Sequence, residues 1–505
     1  MKQSRLILIF TTLKTSSLAL KPFKLQQKFL RNLAFLLGLN LLVKPFWILG
    51  ITVMVQNAVG PTEFGTYFSL LNFGYLFFII LDAGLNNYTN KQVAQDNYFV
   101  KNHFVTISGV KLLLGIIYLA VLMILGIWVM KYPSHYLDLL WIIALNLFLS
   151  SALMFLRSNL AGLHLFKWDS VASVLDRILM IVICGALLWS EPNEAGFSIF
   201  HFAWAQTIAY ALTIVYAVMV MAGKTVKIKW TIKKGLLKKV VRQSYPFALL
   251  TLLMSFYTRI DSVMIERLLP NGTTEAGIYA QGYKVYEAAN MFAFLFATLL
   301  LPVFSKLIAN RESVRPIVDW TVRLLLIPAV IISIWSWFYG GELIDLLYKA
   351  ELEKTASIFP VLMIAFIAMA ANYIYGTLLT AQGKMKLLNL LSLAGIVVNV
   401  ILNWFLIHSY GALGAAWATA FTQSGVAISQ FVAANKFNDL RIHKKDLLKS
   451  LGLIIFMAGL IYLEKQTQIP KYAGVFAIPV LTITGAFLLK LIRLKDLFNL
   501  LKYRA

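Results

Sequence analysis

Lys44, Arg177, Arg259, Asp261, Lys284 and Glu287 all lie inside apolar runs of the sequence. A charge at mid-membrane costs about 2.5–3.5 kcal/mol on insertion scales, so each of these needs a partner or a wet cavity. Spacing sorts them. Lys284 and Glu287 stand three apart and can pair on one helix face. Arg259 and Asp261 stand two apart, about 200° around a helix, so they cannot share a face. One turns to a cavity while the other meets a neighbouring helix. Lys44 has no acidic residue three or four positions away. Pro45 beside it removes a backbone hydrogen bond and can kink the helix there. Lys44 must find either a cavity or a partner on another helix, and it is the foremost candidate for a cavity cation. Deep cations of this kind suit an anionic group, because charge-assisted bonds to phosphate or carboxylate are among the strongest available. Two other charges read as structural: Asp82 can hold a neighbouring helix, and Lys111 is close enough to a surface to snorkel.

Catalytic signatures do not accompany these charges. There is no paired-acid loop, no phosphate-binding loop ending in Gly-Lys-Ser/Thr, and no metal-ligand spacing among the six histidines. The lone Cys184 provides neither a disulfide framework nor a thiolate cluster. We expect no enzyme activity, no catalytic residue, no metal site and no cofactor. With no ATP-binding motif, transport would run on a gradient, on the membrane potential or downhill on substrate supply.

The elements that must hold these residues are membrane helices. The chain is 60% hydrophobic and 13% charged, against about 25% charged in soluble domains. It reads as an all-α polytopic membrane protein. Apolar runs bounded by polar turns predict about 14 transmembrane helices. The first half holds 33–57, 66–89, 105–130, 138–160, 170–189 and 197–222. The second holds 245–268, 276–303, 317–339, 356–381, 386–408 and 412–435, and a pair follows at 449–464 and 472–491. The net charge of +24 does not form a nucleic-acid patch. The basic residues gather in short alternate loops, as the positive-inside rule requires of cytoplasmic segments. The opposite loops carry Glu191, Glu194, Glu342, Asp345, Glu351 and Glu353. Both termini are then cytoplasmic. Residues 1–32 form a basic cytoplasmic arm, 33–222 an N-terminal half, 223–244 a basic cytoplasmic linker and 245–435 a C-terminal half. Residues 436–505 hold the last helix pair and a cytoplasmic tail.

The two halves echo one another. Val53-Met54-Val55 leads to Thr62-Glu63-Phe64-Gly65-Thr66-Tyr67, and Val263-Met264-Ile265 leads to Thr274-Glu275-Ala276-Gly277-Ile278-Tyr279. Ala203-Trp204-Ala205 and Ala416-Trp417-Ala418 repeat at nearly the same offset. An internal repeat of this length in an apolar chain predicts a transporter built from two parallel halves.

The same stretches carry a family resemblance. Val59-Gly60-Pro61-Thr62-Glu63-Phe64-Gly65-Thr66-Tyr67 and Leu81-Asp82-Ala83-Gly84-Leu85 resemble the opening of the polysaccharide-biosynthesis flippases. So do Thr258-Arg259-Ile260-Asp261, Ala276-Gly277-Ile278-Tyr279, Leu301-Pro302-Val303-Phe304-Ser305 and Tyr410-Gly411-Ala412-Leu413-Gly414-Ala415-Ala416. These are the O-antigen flippases of the multidrug, oligosaccharidyl-lipid and polysaccharide exporter superfamily, and the likeness covers nearly the whole chain from about residue 33. It implies two six-helix lobes around a central cavity plus a C-terminal helix pair. It also implies a bacterial inner-membrane flippase that moves an undecaprenyl-diphosphate-linked oligosaccharide by alternating access, for O-antigen or capsule. Partners would be that substrate, membrane lipids, a coupling cation (H+ or Na+), and the glycosyltransferases and polymerase of the pathway. In this fold the first, second, seventh and eighth helices flank the opening between lobes, so Lys44, Arg259 and Lys284 are favoured over Arg177 as diphosphate ligands. Asp261 and Glu287 are expected on the same surface, and Asn40, Tyr257, Tyr279 and Tyr283 as sugar contacts. A multidrug/cation antiporter of the same fold would instead need an anionic cavity. A membrane glycosyltransferase or polymerase would need a larger outer loop than Gly340–Lys354.

Overall fold

The computed structural model describes residues 38–82, 84–96, 98–190, 196–224, 236–438, 440, 444–466 and 471–491. The basic arm, Glu191 and Glu194, half of the expected linker's basic residues (Lys227, Lys229, Lys233 and Lys234) and the C-terminal tail lie outside the described residues. Every regular element among the described residues is helical. We label the long helices α1 (Gly38–Leu76), α2 (Tyr98–Ile124), α3 (Ser134–Gly162), α4 (Phe166–Ser190), α5 (Ile199–Lys224), α6 (Leu236–Leu268) and α7 (Gly272–Ala309). They continue as α8 (Arg315–Leu347), α9 (Leu352–Ala381), α10 (Met385–Asn438), α11 (Lys444–Gln466) and α12 (Lys471–Leu488). The helix α6 begins inside the stretch 223–244 expected as linker, so the connection between the halves is shorter than the charge pattern suggested.

Ten of these helices, α1 to α10, are long and apolar enough to cross a membrane. Two are too long for one crossing, since a bilayer core takes about 20 residues. Both bend at a glycine with positive φ, Gly60 at 77° in α1 and Gly411 at 58° in α10, a conformation that L side chains rarely adopt. In α10 the chain doubles back far enough that a methyl on Gly414 would strike the Leu406 carbonyl. In α1, Trp47 and Tyr67 both put their rings against Phe202, which a straight helix would hold about 30 Å apart. Each is therefore a helical hairpin supplying two crossings. The sequence pattern separates the first pair by a polar stretch at 58–65, but Pro61 starts the second arm directly. Its fixed φ suits the first turn, where no backbone N–H is needed.

Packing groups α2 to α5 with the α1 hairpin and groups α6, α7, α9 and α10 with one another. The halves meet where α1 packs on α6 and α7. The C-terminal pair packs on α8, where the Tyr339 hydroxyl donates to Glu464 at 3.0 Å. Lys111 corrects the sequence reading: it does not snorkel. It is buried between helices and donates to the Leu81 carbonyl (2.9 Å), Ser151 (2.9 Å) and Asp82 (3.2 Å).

The repeated motif has one job per residue. Glu63 accepts from the Ile199 amide at the start of α5, and Glu275 from the Ala412 amide at the start of the second arm of α10, each at 3.3 Å. Both carboxylates satisfy an amide that a helix start leaves without an internal partner. Thr62 and Thr274 meet each other at 2.9 Å, residue against repeat counterpart. A methyl on Gly65 would strike the Thr273 carbonyl, and one on Gly277 the Pro61 carbonyl. These reciprocal contacts put the two glycines on either side of an approximate twofold axis, backbone on backbone. The alanines of the two Ala-Trp-Ala stretches are buried, while Trp204 is exposed, the arrangement that lets membrane helices approach closely.

Candidate functional site

Beneath the Thr62–Thr274 contact the halves separate around a cavity of about 230 Å³. Lys44, Arg177, Arg259 and Lys284 all line it, together with Glu287. At 1.5 Å per residue from the closed end, all four cations lie at a similar depth, about 14–24 Å in. Three are held by neighbours. Arg259 donates to the Asn72 Oδ1 at 2.9 Å and lies over the Tyr75 ring at 4.1 Å, bridging the two halves. Arg177 sits 3.5 Å from Asp176 and over the Trp47 ring at 5.6 Å. Lys284 pairs with Glu287 at 2.7 Å, as the three-residue spacing predicts. Among the described residues Lys44 alone of the four has neither a hydrogen bond nor an ion pair. The lining therefore carries three cations more than its one carboxylate can balance, and a multivalent anion is the ligand such a cavity can neutralise.

The family resemblance disfavours Arg177, yet it stands at the cavity with the other three cations. Its helix α4 packs on the first arm of α1, a neighbourhood that sequence order does not reveal. Five expected site residues are elsewhere. Asp261 points away from Arg259, into the packing of α6 on α10, and is 1% exposed. There it accepts from Thr419, from Tyr279 at 3.1 Å and from Asn403 at 2.7 Å. Tyr279 is spent on that bond and Tyr257 is buried in the same region. Asn40 is buried too and donates to Ser173 at 3.1 Å, joining α1 to α4. Tyr283 packs its ring on Phe68, 5.5 Å centre to centre, behind the lining.

Charge placement in the sequence does not reveal the polar part of the lining, above all Tyr67, Asn146, Gln206 and Tyr210. A signal existed. Asn146 and Gln206 are amides inside apolar runs, Gln206 directly follows Ala203-Trp204-Ala205, and Tyr67 closes the first repeat motif.

The polysaccharide biosynthesis protein family model matches residues 29–308, and the MatE model matches 246–405. The capsular polysaccharide biosynthesis protein CapF of Staphylococcus aureus is 25% identical over 212 residues, 41% of this chain and 51% of its own. The probable low-salt glycan biosynthesis flippase Agl15 of Haloferax volcanii is 23% identical over 226 residues, 43% of this chain and 47% of its own. The fold is similar to that of the lipid II flippase MurJ in an inward closed conformation. The TM-score is 0.68 at 14% identity, over 90% of this chain and 97% of MurJ. The first family match spans more than half the sequence and contains all four cavity cations on both sides of the cleft; the chain belongs to the polysaccharide biosynthesis protein family.

Proposed function

We propose that this membrane protein is a flippase that carries an undecaprenyl-diphosphate-linked oligosaccharide across the bacterial inner membrane, for O-antigen or capsule. The observation that carries the reading is the convergence of Lys44, Arg177, Arg259 and Lys284 on one cavity between the halves. A diphosphate cannot enter a low-dielectric space without countercharge, and these side chains supply it. The cavity is below the ~300–1,000 Å³ usual for ligand sites, so loading requires the halves to part. Residues 33–222 and 245–435 act as the two moving bodies, joined on the cytoplasmic side by the basic stretch between α5 and α6. The closed Thr62–Thr274 end faces outward, because the basic loops lie at the other end and the positive-inside rule makes them cytoplasmic. The lipid tail stays in the bilayer through the gap between the halves. Glycosyltransferases and a polymerase of the same pathway supply and use the cargo.

A coupling cation, H+ or Na+, fits best at Asp261. The carboxylate is buried among oxygen-bearing neighbours and has no basic partner among the described residues. Asn403 Oδ1 beside it is buried without a donor. Hard oxygen donors of this kind suit a proton or an alkali cation. The antiporter reading draws on the MatE match over 246–405, but an excess of positive charge in the cavity would repel a cationic drug.

The test is Lys44→Ala. Losing one charge-assisted contact should cut glycan export roughly tenfold or more, with the amount of protein in the membrane unchanged. Lys44→Arg should be milder, since either cation holds phosphate, though with different geometry. Normal export by Lys44→Ala would remove this residue from the site. Transport of a cationic drug, with no effect on glycan export, would favour the antiporter.

A further inference from the structure

We infer that two exchanged clasps hold the closed end shut: an outer loop of each half grips the end of the other half's first crossing. This rests on the flippase reading only in that the halves must part. The repeat places the pieces. Val53-Met54-Val55 matches Val263-Met264-Ile265, so the residues that follow directly, Gln56-Asn57 and Glu266-Arg267, are counterparts. Each pair stands near the end of its half's first crossing. The loops after the third crossings, 130–133 behind α2 and 348–351 behind α8, carry Tyr132 and Tyr348 at nearly the same offset. The structure crosses them over. Tyr132 of the first half lies under Arg267 of the second, whose guanidinium stands 4.2 Å from the ring centre. The loop of Tyr348 in the second half reaches Gln56 and Asn57 of the first.

The second clasp reads backbone. Asn57 Nδ2 donates to the Leu347 carbonyl at 2.8 Å, and Asn57 Oδ1 accepts from the Lys349 amide at 3.1 Å. A carbonyl can only accept and a backbone N–H only donate, so both ends of the Asn57 amide are fixed. Gln56 Nε2 lies 3.4 Å from the Tyr348 hydroxyl, which donates to the Gln281 carbonyl of α7 at 3.0 Å. Gln281 Nε2 in turn donates to the Ala350 carbonyl at 3.4 Å. Gln281 thus ties the loop to its own half, and Asn57 ties it to the other. These ties suit a reversible contact. Asn57 is half-buried and Lys349 exposed, so water can take over both backbone groups when the halves part. Arg267 likewise keeps 34% of its side chain exposed. Bonds exchanged with water contribute little net free energy each, so the clasps favour closure without making it permanent.

The experiment uses the full chain in its membrane, with Cys184→Ala and one reporter, Leu71→Cys, on the cavity lining. A membrane-impermeant methanethiosulfonate, added outside to intact cells or inside to inverted vesicles, reads how often each end opens. The labelling needs no cargo. Asn57→Asp keeps the size of the side chain, but at neutral pH its carboxylate sets an acceptor against the Leu347 carbonyl. Asn57→Leu removes both bonds. Each should raise the outside labelling rate about tenfold, the value of one or two hydrogen bonds. Arg267→Met keeps a side chain against Tyr132 without the charge and should raise it about twofold to fivefold. Joining Asn57→Cys to Lys349→Cys with a cleavable thiol cross-linker should stop glycan export, and cleavage should restore it, which covers the case in which the Asn57 variants fold poorly. Unchanged outside labelling in both Asn57 variants, or normal export by the cross-linked protein, overturns the inference. Labelling raised equally from both sides also overturns it, by showing general loosening. An unchanged rate in Arg267→Met alone overturns the exchange. If Leu71→Cys is never labelled from outside in any of these proteins, alternating access itself fails. If it is labelled from outside at one rate in all of them, only the clasps fail.

Discussion

Tyr67 and Tyr279 occupy the same place in the two repeats, and their hydroxyls do opposite things. Tyr67 donates to Gln206, which lines the cavity. Tyr279 donates to Asp261, which is sealed between helices with Thr419 and Asn403. The partner residues Gln206 and Thr419 follow the two Ala-Trp-Ala stretches at matching positions. One backbone plan thus serves two chemistries. In the first half a neutral amide lines the cavity. In the second half a carboxylate is enclosed by donors, because an unpaired buried anion costs several kcal/mol. The shared parts of the motif, Thr62 with Thr274 and Gly65 with Gly277, hold the halves together. The parts that differ put a neutral amide at the cavity in one half and a carboxylate between packed helices in the other.

The shared part should be the most sensitive to change. Gly65→Val or Gly277→Val drives a side chain into the backbone of the other half, so the closed end cannot form. Export should fall to background in either variant. Cysteines introduced at Thr62 and Thr274 should cross-link in the otherwise wild-type protein and should fail to do so in either variant. Near-normal export by both variants would mean that this contact is not a gate.

Asp261→Asn is expected to have the next largest effect, and it should separate the halves by function. Export should fall severalfold and lose its response to the driving cation, read as its dependence on Na+ or on an imposed proton gradient. Cargo binding at the cavity should persist. The enclosed donors lose one charged acceptor, so the melting temperature should also drop, consistent with about 1–3 kcal/mol. If Asp261→Asn abolishes binding of a polyprenyl diphosphate while leaving cation dependence intact, the roles proposed for Asp261 and the cavity are reversed.

A paired measurement sharpens the comparison further. Tyr279→Phe removes a bond to a carboxylate, worth about 1.5–3 kcal/mol, whereas Tyr67→Phe removes one between neutral groups, worth about 0.5–1.5 kcal/mol. Thermal unfolding in one detergent should therefore rank Tyr279→Phe as the more damaging. Equal losses would show that the Asp261 cluster is no more polar in its energetics than the Tyr67 cluster.

The smallest expected effect concerns the bridge across the cavity. Arg259→Lys keeps the charge but loses the planar contact over Tyr75 and the directed bond to Asn72. Export should fall about twofold to tenfold. A variant as impaired as Lys44→Ala would make Arg259 the dominant anion ligand.

Orientation has its own check. Reporter fusions at Asn271 and Lys234 should lie on opposite sides of the membrane, with Lys234 cytoplasmic. Both on one side would overturn the assignment of the closed end as outward.

The sequence by itself determined the membrane class, the helical fold and the existence of a repeat, because each follows from local composition and spacing. It also determined that Lys44, Arg177, Arg259 and Lys284 each needed a partner or a wet cavity, because charges in apolar runs cannot be left alone. Spacing alone paired Lys284 with Glu287 and set Arg259 and Asp261 on opposite faces. Only the tertiary structure decided which face met water. Asp261 and Arg259 are two residues apart, yet one is enclosed by α10 and the other reaches across to the α1 hairpin. Arg177 and Gln206 entered the cavity because of how α4 and α5 pack, and nothing near them in the chain specifies that. The physical reason is that helix periodicity fixes directions around one axis, whereas a cavity is made by the spacing between several axes. That spacing is set by contacts such as Gly65 against Thr273, far apart in sequence.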